Sequence, residues 1–394
     1  MISPVEVAGR DVEVAGRDVE VAGRDAEVAG RDAEVAGSMS DANQSLCSDV
    51  RGRVGHLHLN RPQALNAFTL EMVQGVIRCL DRWAKDDRIE SVLITGEGER
   101  AFCAGVDVKS LYAADKPVEP GCPGTVSADL FRFEYTMDHR IATFPKPYIA
   151  FWDGVVMGGG VGVSIMGSHR IATDRTRFAM PETGIGLFPD IGAGYFLSRL
   201  GPLGKLIGLT GLVVDGAATV ELGLATHFVA HENGESLLDS IVEQGIESSL
   251  EFHAGNSVVS DDWKLICEVA ERCFETNQIE CVFQSLEKIA AGDSGLSTVA
   301  RDIVQRLGRR SPTSLKLTLE QFRRGATMSY DECLVMEYRL SQVCLQRDDF
   351  YEGVRAVLID KDHSPCWNPS SVQEVDDADI TACFESLAEY DLVL

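Results

Sequence analysis

The sequence predicts an α/β core followed by a helical C-terminal region. Short apolar strands alternate with helical stretches between about residues 51 and 232, which is typical of parallel sheets covered by helices. Beyond residue 235 the spacing of apolar residues is almost entirely helical. With 394 residues, 45% of them hydrophobic, the chain is long enough to bury one large core or two smaller ones.

The first 45 residues differ in character from the rest of the chain. The heptad VEVAGRD occupies residues 5–11 and recurs at 12–18, with close copies to about residue 37. Each copy carries a glycine, which costs about 1 kcal/mol in a helix, and its apolar positions alternate instead of forming a coiled-coil stripe. We therefore expect a disordered low-complexity arm over 1–45, the α/β core over 46–235 and the helical region over 236–394.

The individual elements follow from local patterns. RVGHLHLN (53–60) alternates like a strand, TLEMVQGVIRCLDRWAKD (69–86) has helical spacing, and IESVLITGEG (89–98) resembles a buried strand that ends in glycine. Further helices are predicted over 129–143 and in MGGGVGVSIMG (157–167). Further strands are predicted in KPYIAFWDG (146–154), SHRIATD (168–174), RFAMPE (177–182) and THFVAHE (226–232).

Charge and spacing argue against several classes of function. The formal net charge of −25 disfavours nucleic acid or an anionic membrane as the main partner, and no apolar run reaches the ~20 residues of a membrane span. His227 and His231 fall in a strand-like stretch, where four residues span ~13 Å, so we predict no metal site. A G-x-S-x-G nucleophile motif is also lacking.

Two glycine-rich turns are candidates for binding a ligand through the backbone. GVVMGGGVG (154–162) follows a predicted strand and opens a helix, whose N-terminal N–H groups carry partial positive charge. AFCAGVDV (101–108) is a second turn after a strand. The residues alone leave tight helix packing open for the first turn and an ordinary turn open for the second.

Two isolated carboxylates stand in an otherwise apolar stretch. Glu182 and Asp190 are the only charged residues of FAMPETGIGLFPDIGAGYFL (178–197). A buried carboxylate costs several kcal/mol unless it is paired or hydrogen-bonded, so this placement suits a general base or nucleophile. A helix N-cap for Asp190 and a salt bridge for Glu182 remain open as structural alternatives.

Four of these stretches, taken in order, resemble the crotonase (enoyl-CoA hydratase/isomerase) superfamily. They are LNRPQALNAFTLEM, AFCAGVDV, MGGGVG and PETGIGLFPDIGAGYFLSRLG. Residues 311–369 are similar to the branch that hydrolyses 3-hydroxyisobutyryl-CoA. The resemblance covers about 51–394 and implies a crotonase-like spiral of ββα units, with a helical C-terminal region that completes the site and helps homo-oligomers form.

The resemblance also implies a binding site for an acyl-CoA thioester. Its carbonyl oxygen would lie between two backbone N–H groups, which match Ala104 and Gly159, and such a donor is typically worth ~10²–10³ in rate. Gly105 and Asp107 of the same turn would complete the substrate-binding backbone, and Glu134 matches a substrate-site residue of the hydrolase branch.

Two differences from the hydratase pattern favour the hydrolase branch of the superfamily. Hydratases carry a catalytic glutamate three residues after the oxyanion glycine, where this chain has Gly162, and they tend to carry glycine where it has Asp190. The hydratase pair is therefore replaced by Glu182 and Asp190, which match the hydrolase pair. Val106 stands where the hydrolases usually have a second glycine, so its side chain would narrow the acyl pocket.

The expected activity is hydrolysis of 3-hydroxyisobutyryl-CoA, or a similar short 3-hydroxyacyl-CoA, in valine catabolism. Coenzyme A is part of the substrate, and the resemblance implies no other cofactor. It also implies a mitochondrial location in eukaryotes, although no basic presequence is evident and the cytoplasm is the alternative. An enoyl-CoA hydratase/isomerase and a non-catalytic subunit of a larger assembly are the competing hypotheses.

Overall fold

The strands form two sheets. The computed structural model describes residues 44–114, 116 and 119–394, so most of the predicted disordered arm lies outside the described residues. The described strands are β1 (Leu46–Arg51), β2 (Val54–Leu59), β3 (Ser91–Gly96), β4 (Ala101–Cys103), β5 (Tyr148–Trp152), β6 (Val155–Met157), β7 (His169–Ala172), β8 (Arg177–Ala179), β9 (Val214–Asp215) and β10 (His227–Phe228).

From β3 to β8, consecutive strands alternate between the two sheets. The larger sheet has the order β1-β2-β3-β5-β7-β10 and the smaller one β4-β6-β8-β9. Within them β2, β3, β5, β7 and β10 run parallel, as do β4, β6 and β8, while β1 and β9 pair antiparallel at one edge of each sheet. Each strand pair, β3/β4, β5/β6 and β7/β8, thus adds one strand to each sheet, which is the predicted spiral of ββα units.

Helices cover the sheets and make up the described chain after β10. The helices of the core are α1 (Leu70–Trp83), α2 (Val108–Ala113), α3 (Val126–Ala142), α4 (Gly159–Ile165), α5 (Ala193–Phe196), α6 (Pro202–Thr210) and α7 (Gly216–Glu221). Those that follow are α8 (Gly234–Gln244), α9 (Ile246–His253), α10 (Asp261–Cys273), α11 (Ile279–Ala290), α12 (Gly295–Leu307), α13 (Pro312–Gly325), α14 (Tyr330–Cys344), α15 (Asp348–Val354) and α16 (Asp377–Ala382).

Most predicted elements are present, and the differences have local causes. Helix α1 begins where predicted because the Thr69 hydroxyl caps it by accepting the Met72 N–H. Strand β1 was missed because four of its six residues are exposed and its sequence, LCSDVR, has no apolar alternation. Strands β4, β6 and β9 have only two or three residues, too few to give a periodic signal.

The topology brings three chain segments to one edge of the smaller sheet. Because β4, β6 and β8 are parallel neighbours, their carboxyl ends meet there. The chain leaves them into the AGVD turn (104–107), the glycine turn that opens α4, and a 3₁₀ turn, Glu182–Ile185. Helices α13 and α14 pack on α5, and α15 packs on the 3₁₀ turn, so the C-terminal helices cover this edge.

Candidate active site

The two glycine turns lie against each other. A methyl group built on Gly105, whose φ is +108°, would lie 3.4 Å from the Gly159 nitrogen and 3.6 Å from the Gly158 Cα. This backbone conformation and this close approach both favour glycine. Gly159 is the first residue of α4, and its N–H has no acceptor among the described residues. The turn therefore presents one unoccupied amide at the meeting point.

The Ala104 amide, which the sequence analysis assigned as the second donor, is occupied. Its N–H donates a 3.0 Å hydrogen bond to the Leu65 carbonyl oxygen. The neighbouring Gly105 N–H faces the Cys103 sulfur at 3.5 Å, and sulfur is a weak acceptor. A ligand could use the Ala104 amide only by sharing or breaking its bond to Leu65.

The Val106 N–H group has no acceptor in the described chain and points away from the segment that contains Phe68. Val106 forms a parallel bridge with Phe68, in which the Phe68 N–H donates to the Gly105 carbonyl and the Asp107 N–H donates to the Phe68 carbonyl. In such a bridge the middle residue turns its own N–H to the opposite side. The Val106 N–H has no acceptor among the described residues. A methyl group on Gly159 would lie 3.3 Å from Cγ1 of Val106 and 3.4 Å from the Gly105 carbonyl carbon, to which the Val106 nitrogen is bonded, so the two free amides lie close together.

Glu182 borders the same space. It begins the 3₁₀ turn after β8, it is 6% exposed, and its Oε1 lies 3.4 Å from the position of a methyl group on Gly158. Its Oε2 has no hydrogen-bond partner among the described residues. The charge of Arg310 acts on Glu182, but no described ion pair within 4 Å includes this carboxyl group, so the alternative of a structural salt bridge is wrong. Glu182 is therefore a buried carboxyl group with one oxygen left for a ligand.

Two further acids approach from α3 and from the loop after the 3₁₀ turn. Glu134 is 2% exposed, and a methyl group on Gly159 would lie 2.5 Å from its Oε1, so a solvated helix position is excluded. Asp190 is 8% exposed and accepts a 2.8 Å hydrogen bond from the Tyr135 hydroxyl. Asp190 does not cap a helix, because α5 begins after Gly192 without a side-chain cap.

Burial makes this group of acids hold protons tightly. It raises the pKa of Glu182 well above the usual range, and the charge of Asp190 adds to this, while a backbone hydrogen bond and the Arg310 guanidinium oppose it. The pKa of Glu134 is also raised well above its usual value, by burial first and then by the neighbouring carboxylates. Burial raises the pKa of Asp190 to about 6, and the Tyr135 hydrogen bond limits the rise. Such bases are stronger than exposed carboxylates.

A fourth buried acid was not identified from the sequence. Asp138 lies one helical turn after Glu134, is fully buried, and has no hydrogen-bond partner on either carboxyl oxygen among the described residues. A methyl group built on Gly162 would lie 3.0 and 3.1 Å from these oxygens and 3.1 Å from Cβ of Ile191. The space beside Gly162 is therefore already filled by Asp138 and Ile191.

The remaining predicted residues have structural partners. Asp107, assigned to substrate binding, pairs with Arg61 at 3.2 Å, and Arg61 also donates to the Ala67 carbonyl at 2.6 Å. This pair ties the AGVD turn to the loop before α1. Within the described ranges, no group of three or more His, Cys, Asp and Glu side chains is placed to hold a metal ion, and no helix is long and apolar enough to cross a bilayer.

The fold and the site define the class of the protein. Paired amides that can hold an oxyanion, beside a buried carboxyl group at one edge of a spiral of ββα units, suit chemistry at an acyl carbonyl. A family profile described as enoyl-CoA hydratase/isomerase matches residues 54–384, and the chain belongs to this family.

Relatives within the family have narrower names. The chain is 42% identical to 3-hydroxyisobutyryl-CoA hydrolase, mitochondrial, of Danio rerio over 366 residues, which cover 90% of this chain and 93% of that protein. It is 39% identical to the protein of the same name in Homo sapiens over 364 residues, which cover 90% and 92%. The crystal structure of a carnitinyl-CoA dehydratase from Mycobacterium thermoresistibile superposes with a TM-score of 0.81 at 36% identity, over 87% of this chain and 97% of that one.

Proposed function

We propose that the protein hydrolyses the thioester of 3-hydroxyisobutyryl-CoA to 3-hydroxyisobutyrate and free CoA, a step of valine catabolism. The names of relatives that match about nine-tenths of the chain support this substrate. The observation that carries the proposal is the buried Glu182 carboxyl group, which lies beside two unoccupied amides while position 162 is a glycine. The chain thus has an acid at position 182 but none at position 162, where hydratases carry their other catalytic glutamate.

The thioester oxygen would be held by the N–H groups of Gly159 and Val106. Val106 takes the place of Ala104 in this proposal, because the Ala104 N–H is already bonded to the Leu65 carbonyl. Two preorganised donors stabilise the negative charge that develops on the oxygen when the carbonyl carbon becomes tetrahedral, each by ~10²–10³ in rate.

Glu182 would drive the cleavage by one of two routes. As a nucleophile, it attacks the carbonyl carbon, the C–S bond breaks with release of CoA thiolate, and water hydrolyses the resulting mixed anhydride. As a general base, it removes a proton from a water molecule that attacks the same carbon directly. Both routes consume one water molecule and release the acid and CoA. Its raised pKa makes Glu182 an effective base once ionised.

Asp190 and Glu134 would recognise the acyl group. Asp190 would accept a hydrogen bond from the substrate 3-hydroxyl or assist proton transfer, using the carboxylate oxygen that the Tyr135 hydroxyl leaves free. Glu134 would line the acyl pocket opposite Gly159, and the Val106 side chain would narrow it. Gly105 and Asp107 would support the oxyanion turn, with Asp107 acting through its pair with Arg61.

A hydratase or isomerase is the competing enzyme hypothesis, and the related dehydratase structure gives it some weight. Adding water across a double bond requires acid and base groups on both sides of that bond. The second group of hydratases would stand at Gly162, and Asp138 with Ile191 leaves no room there for a side chain. We therefore favour hydrolysis.

A thiol-release screen tests the proposal. Purified protein is assayed with 3-hydroxyisobutyryl-CoA, isobutyryl-CoA, 3-hydroxypropionyl-CoA and acetyl-CoA, while loss of crotonyl-CoA absorbance reports hydration. We expect the highest kcat/KM for 3-hydroxyisobutyryl-CoA and no hydration. Rapid hydration of crotonyl-CoA without thiol release would establish the hydratase hypothesis instead. Turnover of no ester, with stable attachment to another protein, would favour the non-catalytic hypothesis.

The cofactor, compartment and assembly complete the proposal. CoA enters as part of the substrate, and we propose that the protein needs no other cofactor. Mitochondria are the proposed location, since relatives in animals are named as mitochondrial proteins. Homo-oligomer formation stays a prediction, which light scattering of the purified protein would test.

A further inference from the structure

The loop that carries Asp190 has a strained backbone. Ile191, the next residue, has φ +55°, although a β-branched side chain strongly disfavours this conformation. Ile191 is fully buried, so its backbone cannot relax toward solvent. A conformation of this kind costs about 1–3 kcal/mol and persists only where surrounding contacts enforce it.

The enforcing contacts come from one buried acid in the C-terminal region. Glu337 on α14 is fully buried, and its two carboxyl oxygens accept the N–H groups of Gly192 at 2.6 Å and Gly194 at 2.7 Å. Gln321 on α13 donates to the same carboxyl group at 2.9 Å and to the Pro189 carbonyl at 2.7 Å. The loop is thus held on both sides of Asp190 by two side chains that do not border the oxyanion turns.

No described ion pair explains why an acid is buried at position 337. No cation pairs with it among the described residues, and burial raises its pKa to about 8, although the two backbone N–H groups oppose this. A buried carboxylate without a cation is costly. A hydrophobic side chain of the same volume would avoid that cost but would leave the buried N–H groups of Gly192 and Gly194 without an acceptor. A carboxylate is nevertheless the side chain that accepts two parallel N–H groups, since each of its oxygens is an acceptor.

We propose that Glu337 is a positioning residue that holds the 189–194 loop so that Asp190 faces the acyl group of the substrate. Its effect on activity passes through Asp190, and in this respect the inference rests on the proposed function. Tyr135 restrains one carboxylate oxygen of Asp190 from the side of α3, and Glu337 fixes the backbone from the side of α14. In this proposal, recognition of the substrate hydroxyl by Asp190 depends on the packing of the C-terminal helix α14 against the 189–194 loop.

Glu337→Gln tests the proposal with almost no change in volume. Glutamine keeps one acceptor oxygen, and its NH₂ group faces a backbone N–H, so one loop bond is replaced by a repulsive contact. We expect kcat/KM for 3-hydroxyisobutyryl-CoA to fall ~10–100-fold, the effect typical of losing a hydrogen bond to a charged group, while kcat/KM for isobutyryl-CoA, which lacks the hydroxyl, changes less than ~3-fold. The matched control is Glu271→Gln, at an exposed position on α10, which should leave both values unchanged.

A second readout separates this inference from the proposed function. Hydrogen–deuterium exchange of a peptide covering 188–197 should be faster in Glu337→Gln than in the wild type, whatever the substrate of the enzyme. Unchanged exchange, an unchanged preference for the hydroxylated ester, or an equal loss with both esters would each overturn the positioning role. If Glu337→Gln fails to fold, Gln321→Met, which removes the bond to Pro189, decides by the same measurements. Failure of the wild type to release thiol would refute the proposed function, while the exchange experiment would still test the loop contact.

Discussion

The Tyr135 hydroxyl donates a 2.8 Å hydrogen bond to Oδ2 of Asp190, and both side chains are buried. Tyr135 follows Glu134 on α3, so one helix supplies an acid that lies beside Gly159 and the donor that restrains a second acid. Helix α3 therefore fixes Glu134 directly and restrains Asp190 through Tyr135, and the charge of Asp190 also raises the pKa of Glu134. The donor also favours the ionised form of Asp190.

Tyr135→Phe is expected to move the acid limb of the pH–rate profile to higher pH. Its hydrogen bond lowers the Asp190 pKa, so removing it raises that pKa above its present value of about 6. Each ~1.4 kcal/mol by which the hydrogen bond favours the ionised form corresponds to one unit of pKa. The profile of kcat/KM between pH 5 and 9 measures the shift. Tyr148→Phe is the matched control, because the buried Tyr148 hydroxyl has no partner among the described residues, and an equal shift in both variants would contradict the prediction.

Glu182→Gln should reduce thiol release by at least ~10³-fold and leave the fold intact. The amide is neutral, can neither attack the carbonyl nor accept a proton from water, and has the same volume as the acid. Free thiol is measured with saturating substrate, and thermal melting monitors the fold. Glu99→Gln, at an exposed position, should retain wild-type activity. Full activity in Glu182→Gln would remove this residue from the mechanism.

Gly159→Ala should lower kcat ~10²-fold. The new methyl group would lie 2.5 Å from Oε1 of Glu134 and 3.3 Å from the Val106 side chain, within the space between the two free amides. Because Oε1 is the end of a flexible side chain, Glu134 can move, and we expect the catalytic loss to exceed the loss of stability. Comparing kcat with the melting temperature tests this. Gly223→Ala, at a position with open space, controls for the added methyl group, although its positive φ carries a small strain of its own.

Substitutions at Gly162 and Asp138 should have non-additive effects on the free energy of unfolding. Gly162→Ala places a methyl group 3.0 Å from an Asp138 oxygen, and such overpacking typically costs about 1–3 kcal/mol. Asp138→Ala removes the opposing atoms, so the double variant should be more stable than the sum of the two single effects by ~1 kcal/mol or more. Urea unfolding of the four proteins measures the coupling. Strict additivity would mean that the two residues do not compete for space.

Asp138→Asn should flatten the dependence of stability on pH. Burial, followed by the charges of Asp190 and Glu337, raises the Asp138 pKa well above its usual value. The folded state therefore binds this proton more tightly than the unfolded state, and the resulting stability is full below the usual carboxyl pKa and decreases as the pH rises. Between pH 5 and 8 the wild type should lose more free energy of unfolding than the variant. Equal slopes would show that Asp138 titrates normally.

Local sequence was sufficient to predict the burial of acids that stand alone among apolar residues. Glu182 and Asp190 could be predicted to be buried because no other charged residue lies near them in the chain, and the structure confirms this burial. The strands that place Glu182 were also evident, since their runs are apolar and end at glycine or proline. The helix N-cap, which the sequence left open as an alternative for Asp190, is not formed because the chain continues through Ile191 and Gly192 before α5 begins.

Contacts between distant segments were beyond such local reasoning. Whether an amide in the AGVD turn is free depends on its partner, and Leu65, which occupies the Ala104 N–H, lies almost 40 positions earlier. The Glu337 contacts with the Asp190 loop span 145 and 143 positions. Glu337 lies within residues 311–369, which carry part of the resemblance, but the spacing around it is that of an ordinary amphipathic helix.

The distance in sequence between the Asp190 loop and Glu337 has a consequence for synthesis of the protein. A ribosome completes the glycine turns, Glu182 and Asp190 while well over a hundred residues are still untranslated. Until α14 has been synthesised and has packed, the 189–194 loop lacks the Glu337 carboxyl group that accepts the Gly192 and Gly194 N–H groups. If Glu337 positions Asp190 as proposed, the preference for the hydroxylated ester would be the last feature of the site to form during synthesis.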